Sequence, residues 1–196
     1  KANSLIDMSQ LEVFVRDDLN GKVDSKMVIL HPLKVVITNY PEGQIEHMDM
    51  ENNVADEARG SRKIPFGREL YVEQDDFMEI PAKKYFRLYP GNEVRLKGAY
   101  FITCNEVIKD ENGKVVELLC TYDPDTKSGT PGADSRKVKG TIHWLDAQTA
   151  VDIPVRQYEY FALPNEETGR NEYNPNSKHD VVAKAEASLK NAKGGE

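Results

Sequence analysis

The sequence predicts an all-β fold, an antiparallel barrel or sandwich, with one short helix near its start. Three observations carry this. From Met27 onward the apolar residues recur with a period of two, the repeat of a strand with one buried face. These stretches are short and separated by turn-forming residues, the spacing of antiparallel barrels and sandwiches. Helical periodicity is confined to the two ends of the chain.

The first element is the helix. Ser9–Glu12 (SQLE) is a capping box, Leu11, Phe14, Val15 and Leu19 form an apolar stripe, and Gly21 supplies a stop, so a helix is expected from Ser9 to Asn20. Strands follow at Met27–Leu30, Lys34–Thr38 and Arg68–Glu73, then a helical turn at Asp75–Glu79 ended by Pro81. Next come strands at Ala99–Lys109 and Lys114–Tyr122, and again at Val138–Trp144 and Gln157–Leu163. Pro164–Ser177 is polar, like a loop. Asp180–Lys193 is rich in Ala and Lys and reads as a second helix.

Lys83–Lys97 (KKYFRLYPGNEVRLK) stands out. It carries Lys83, Lys84, Arg87, Arg95 and Lys97 against one acid, Glu93, in a chain of net charge −7. Tyr89-Pro90-Gly91-Asn92 fits a tight turn, so the stretch reads as a β-hairpin. Alternation then puts Phe86, Leu88, Val94 and Leu96 on the core face. Lys83, Tyr85, Arg87, Tyr89, Arg95 and Lys97 fall on the opposite face. Cations interleaved with rings suit unpaired nucleic acid, where charges hold phosphates and rings stack on bases. A solvated face of snorkelling lysines has the same pattern, and from the residues alone that is the expected reading, since charge runs usually mean solvation.

Composition narrows the classes. The acidic balance argues against broad, charge-driven duplex binding, though not against a local basic groove. No apolar run approaches the roughly 20 residues of a membrane span, and the start does not resemble a signal peptide. The chain begins at Lys1 without Met, so it is expected to be a piece of a longer protein. An Asn112-Gly113 type I′ turn would place Cys104 opposite Thr121 and Cys120 opposite Asn105. The thiols would then face opposite ways, with neither disulfide nor zinc site expected. Reduced thiols point to the cytoplasm. Asp123 and Asp125 lack the rest of a calcium loop and are expected to cap their own backbone. His31, His47, His143 and His179 are scattered, and no nucleophile has a convincing partner, so no catalytic residue is expected. Arg136, Lys137 and Lys139 form a second basic cluster.

Long ordered strings carry a resemblance. IDMSQLEVFVRDDLN, SRKIPFGRELYVEQDDFMEIPAKKYFRLYPGNEVRLKGAYFI and LCTYDPDTKSGTPGADSRKVKGTIHWLDAQTAVDIPVRQYEYF closely resemble the C-terminal, anticodon-binding part of glutaminyl-tRNA synthetases. The resemblance implies β-barrels of that type. Residues 1–22 would end a helical connector, 23–156 would form the proximal barrel, and 157–196 part of a truncated distal one. It also implies a strand in place of the second helix. Arg87 matches the family arginine that reads the last anticodon base, a guanine, and Arg95 and Lys97 match basic positions near the first. Lys84 and Tyr85 lie beside this group. Ser25 replaces a common arginine, with Lys26 adjacent as a substitute charge, and Asn53 falls in the neighbouring contact loop. The class I nucleotide motifs are absent, so ATP would belong to a catalytic part outside this chain, and no cofactor or metal is expected within it. The implied partner is the anticodon loop of glutamine tRNA, bound by a monomer, with no DNA and no membrane. The alternative is a protein-interaction barrel that uses the acidic face Glu69–Glu79.

Overall fold

Alternation of inward and outward residues organises strands such as Pro32–Ile37, Glu46–Glu51, Ser61–Phe66, Glu69–Glu73 and Glu93–Leu96. The computed structural model describes residues 8–190. Helix α1 (Met8–Leu19) is followed by strands β1 (Val28–Ile29), β2 (Pro32–Ile37), β3 (Glu46–Glu51), β4 (Ser61–Phe66) and β5 (Glu69–Glu73). Then come β6 (Glu93–Leu96), β7 (Phe101–Lys109), β8 (Val115–Asp123), β9 (Thr141–Ile142) and β10 (Leu145–Asp146). The last are β11 (Val151–Tyr158), β12 (Ala162–Pro164), β13 (Asn171–Tyr173) and β14 (Lys178–Ala185). The all-β expectation stands, as does the helix, which begins at Met8 and ends before Gly21 at φ +75°. Ser9's capping side chain lies outside the described side chains.

Contacts divide the chain into two units. The larger comprises Lys26–Met50, Arg62–Ile153 and the described residues from Val182. Its main sheet, ordered β10-β5-β2-β8-β7-β6-β9, curls as a half-barrel; β2–β8 and β6–β9 are its parallel pairs. On β2, Leu33, Val35 and Ile37 point inward while Lys34 faces out, where its ammonium lies 3.2 Å from Glu69 and 3.4 Å from Glu117. Phe66 is fully buried and meets Tyr40, Tyr100 and Trp144 at ring separations of 5.0–5.4 Å, all tilted or edge-on. That geometry matches positive ring edges to negative faces. The half-buried Glu46 accepts hydrogen bonds from Tyr40 (3.0 Å), Tyr100 (2.9 Å) and Lys127 (2.6 Å).

The smaller unit comprises the described residues up to Ser25, Glu51–Ser61 and Pro154–Val181. There the chain after α1 is tied down by Ser25 N–H donating to the Asn52 carbonyl (2.6 Å) and by an Arg59–Asp24 ion pair (2.7 Å). Strands β12 and β13 pair as a small ribbon, with Phe161 edge-on to Tyr173. The segment expected to be a loop therefore carries paired strands.

Several other expectations fail for physical reasons. Lys83–Lys97 is not a hairpin. β6 is paired on both edges, with β7 on one side and β9 on the other, so no edge remains for residues 83–88. The turn itself is present: Asn92 N–H donates to the Tyr89 carbonyl (2.9 Å), with Gly91 at φ +80°. The cysteines were expected to face apart, yet Cys104 stands directly opposite Cys120. The expected type I′ turn does not form, since Asp110 pairs with Lys114, and irregularities at Ile108–Lys109 and at Asn105 shift the register; both thiols are buried and free. The facing Cys104 thiol, together with burial, pushes the Cys120 thiol up. Of the second expected helix, residues 180–185 lie in β14. Ala183 and Ala185 alternate inward there, and the buried Glu186 accepts from Met27 N–H (2.7 Å) and Arg62 Nε (2.9 Å). The part beyond Lys190 lies outside the described residues. β3, β4 and most of β11 had no strand signal strong enough to be read.

The Glu46 cluster gives a pH prediction. Burial, the largest influence, pushes its carboxyl up, but hydrogen bonds from Lys127, Tyr100 and Tyr40 together hold it below its ordinary value of 4.5. A lowered value means that the ionised form stabilises the fold above the ordinary value, and that this contribution is lost as pH falls through the lowered one. Thermal melts between pH 3 and 7 should show the wild type losing more stability on acidification than Glu46→Gln.

Candidate nucleic-acid interface

The basic stretch is built as a loop hung from one apolar anchor. After β5 a 3₁₀ turn (Gln74–Asp76) lays down Asp76, and Leu88, fully buried, bridges to Phe77. Leu88 N–H donates to the Asp76 carbonyl (2.9 Å), and its own carbonyl accepts from Met78 (3.0 Å). Residues 83–87 therefore lie outside the sheet. Lys84 sits at φ +68°, a left-handed conformation that costs a non-glycine residue about 1–2 kcal/mol.

Two cavities gather the expected cations, and the first borders this loop. The first, about 400 Å³, is lined by Lys84, Tyr85, Phe86, Tyr89, Lys137 and Lys139, with Asn92, Glu93, Val138 and Gly140 completing it. Phe86, expected in the core, is half exposed, and the Lys139 ammonium lies 5.0 Å from its ring centre. Glu93, the acid of the lining, is held by Arg136, with Nε 2.8 Å from Oε1. Tyr85 donates its hydroxyl to the Asp75 carbonyl (3.1 Å), and burial pushes that hydroxyl up to about 12, so it remains a donor. Gly140 fits against the Phe86 carbonyl so closely that a Cβ there would lie 1.9 Å from the oxygen.

The second cavity, about 390 Å³, is lined by Lys26, Met27, Val28, Lys97, Thr141, Ile142 and His143. It brings together Lys26 and Lys97, distant in sequence and both exposed. His143 Nε2 lies 3.1 Å from the Val28 carbonyl.

The remaining expected residues lie outside these linings. Arg87 pairs through Nη1 with the Asp76 carboxylate, which is 5% exposed, while the arginine side chain stays 54% exposed. Burial pushes the Asp76 carboxyl above its ordinary value, partly offset by the Arg87 and His143 charges. Arg95 lies 4.2 Å over the Phe101 ring and donates to Ser128 Oγ (3.2 Å) and to the Ala133 carbonyl. Arg136 covers the same ring and reaches Asp123 at 2.8 Å, so the two guanidiniums clamp the loop after β8. That loop is capped as expected, by Asp123 accepting from Asp125 N–H. Asn53 belongs to the smaller unit. It is buried, its amide donating to the Val23 carbonyl (2.7 Å) and its oxygen accepting from Ala55 N–H (2.8 Å).

Phe86, Lys137, Lys139, His143 and Asp76 were not singled out as site residues. The shared face of Lys137 and Lys139 was visible in the sequence, but not that they face Lys84 across a cavity. The acidic stretch is already engaged. Glu69 pairs with Lys34 and Glu79 with Lys109 (2.7 Å), Glu73 accepts from Leu30 and His31 N–H, and Asp76 holds Arg87. No group of metal-binding side chains occurs among the described residues, and no helix there is long and apolar enough to cross a membrane.

Comparison with known proteins fits this geometry. A family model described as tRNA synthetases class I (E and Q), anti-codon binding domain, matches residues 26–123, and a second with the same description matches 141–196. A glutamine–tRNA ligase of Clostridium perfringens is 54% identical over 98% of this chain and 36% of its own length. One from Clostridioides difficile is 55% identical over 90% of this chain and 33% of its own. One from Bordetella pertussis is 52% identical over 93% and 32%. The chain thus spans about a third of the length of the curated relatives it matches.

The Phe86–Gly140 contact is testable. Gly140→Ala should force the two loops apart and destabilise the fold by about 1–3 kcal/mol, read from urea denaturation. An equally small alanine at the exposed Gly113 turn meets no neighbouring atom and serves as the comparison, its cost arising from φ +79° alone.

Proposed function

The chain belongs to the anticodon-binding domains of the class I tRNA synthetases for glutamate and glutamine, and from that membership we propose that it reads the anticodon loop of glutamine tRNA. The observation that carries this reading is a pair of cation-lined cavities, one of them beside Lys84–Tyr89 and holding a half-exposed ring. Unpaired RNA needs both features: an aromatic face for each unstacked base, and ammonium groups for the backbone that follows it. Phe86 supplies the platform, with Lys84, Lys137 and Lys139 around it. Lys26 and Lys97 hold the strand at the second cavity. Arg87 keeps donors open for a base edge, as the family pattern implies. Arg95 stacks on Phe101 and orders the loop carrying the second basic cluster, and reaches RNA by exchanging its carbonyl partner. Asn53 acts by fixing the chain between α1 and β1.

The parent is a glutamine–tRNA ligase, whose catalytic part outside this chain uses ATP to attach glutamine to the tRNA. The chain contributes recognition and carries no catalytic residue of its own. It works as a cytoplasmic monomer, without DNA or membrane partners. The protein-interaction alternative has no support in the acidic stretch, whose carboxylates are mostly engaged within the fold.

Titration with an anticodon stem-loop RNA at increasing salt tests this. Each phosphate contact should add about −0.7 to the log–log slope, so Lys137→Ala and Lys139→Ala should each flatten it when the contact is lost. Phe86→Ala should weaken binding by about 1–3 kcal/mol while leaving the slope unchanged. Equal binding of a loop with a scrambled anticodon would overturn the reading.

A further inference from the structure

Asp76 is the acid most nearly sealed inside the candidate interface, and the recognition described above gives it no task. Its carboxylate lies between two cationic or potentially cationic groups. Oδ1 accepts from Arg87 Nη1, and Oδ2 faces His143 Nδ1 at 4.0 Å. A carbonyl only accepts, so the His143 ring donates its Nε2–H to Val28 and is fixed from its far side. The Asp76 main chain also holds the neighbour of Arg87, through Leu88 N–H at 2.9 Å. Asn92 Nδ2 donates to the Arg87 carbonyl (2.8 Å). The backbone and one end of the guanidinium are therefore both pinned.

A guanidinium has five N–H donors in a rigid fork. Asp76 engages Nη1. Among the described residues, Nε and Nη2, which carry the parallel N–H pair on the other edge, have no acceptor. Two parallel donors match two acceptors on one base edge, and guanine offers O6 and N7 in that arrangement. Resting on the anticodon reading proposed above, we infer that Asp76 is a positioning residue, turning Arg87 so that its Nε–Nη2 edge meets the O6/N7 edge of a guanine. The carboxylate touches no base itself. It removes the alternative orientations of a side chain that is otherwise half in solvent, so less entropy is lost when the base arrives.

The experiment compares anticodon stem-loop RNAs carrying guanine or 7-deazaguanine at the last anticodon position. The latter lacks N7 and breaks one of the two bonds. Wild type should prefer guanine about tenfold. Asp76→Asn keeps the shape but loses the charge, and its preference should fall below about threefold. Arg87→Lys has no fork and should show none. The double variant should match Arg87→Lys alone, because the two residues act as one unit. A purely structural role would weaken both RNAs equally and leave the ratio intact. Asp76→Asn with the wild-type ratio, while Arg87→Lys loses it, overturns the inference and spares the anticodon reading. Wild type binding both RNAs equally overturns the inference alone, whereas wild type binding neither overturns the two together. Should Asp76→Asn not fold, Asp76→Glu keeps the charge one methylene further out. It should give an intermediate ratio, and an unchanged one overturns the proposal.

Discussion

Strand β6 has no free edge, and the interface follows from that. Its antiparallel partner β7 takes one side and the short parallel β9 takes the other. Residues before β6 cannot pair with it, however hairpin-like their turn. They leave the sheet and are anchored by the buried Leu88, with Tyr85 and Arg87 tied to Asp75 and Asp76, so the cations and rings of Lys83–Arg87 are held at its surface. β9 is also what brings the second basic cluster near. Thr141 and Ile142 sit beside Arg95 and Leu96, which sets Lys137–Gly140 against Phe86. One pairing choice thus assembles groups from two distant stretches of sequence.

Much of this was legible and some could not be. The inward set of β6, Val94 and Leu96, and the outward set, Arg95 and Lys97, follow from period-two alternation, which is local. The α1 helix and the Gly91 turn are local too. The cysteine register is not: it hinges on the unpaired Asn105, which accepts from Thr121 Oγ1 and leaves no mark in the alternation. Phe86 was assigned inward because strand geometry was assumed. Once residues 83–88 lack a strand partner, that reasoning has no footing. For residues 180–185 the Ala and Lys content favours a helix by propensity, yet pairing with β1 and the buried Glu186 outweigh it. The candidate residues were found by chemistry and family pattern. Their grouping, Lys26 with Lys97 and Lys84 with Lys139, needed the tertiary structure.

An acidic chain presenting a basic interface also needs its acids kept away from it. Here the acids nearest the site are used rather than excluded. Glu93 is held by Arg136, and Asp123 by the same guanidinium, so neither leaves an unopposed charge at the cavity. Asp76 is turned inward. The local field over Lys84, Lys137 and Lys139 therefore stays positive although the whole molecule is negative, and at a Debye length of about 8 Å in physiological salt the local field is what an approaching phosphate meets.

The two arginines of the candidate site carry the same charge but differ in which donors their neighbours leave open. Arg87 and Arg95 carry the same group, and both were expected to face RNA. Arg95 is fixed from three directions, by a ring, a hydroxyl and a carbonyl, so a base that recruits it must displace the Ala133 carbonyl and disturb the loop it holds. Arg87 is fixed at one nitrogen by a carboxylate, a partner that strengthens the hydrogen bond while leaving the opposite edge open. A guanidinium anchored at one end by an acid is poised to read without rearrangement, whereas one anchored all round pays reorganisation before any gain. Under the anticodon reading proposed above, specificity is therefore expected first at Arg87, with Arg95 serving mainly to hold the second basic cluster in reach.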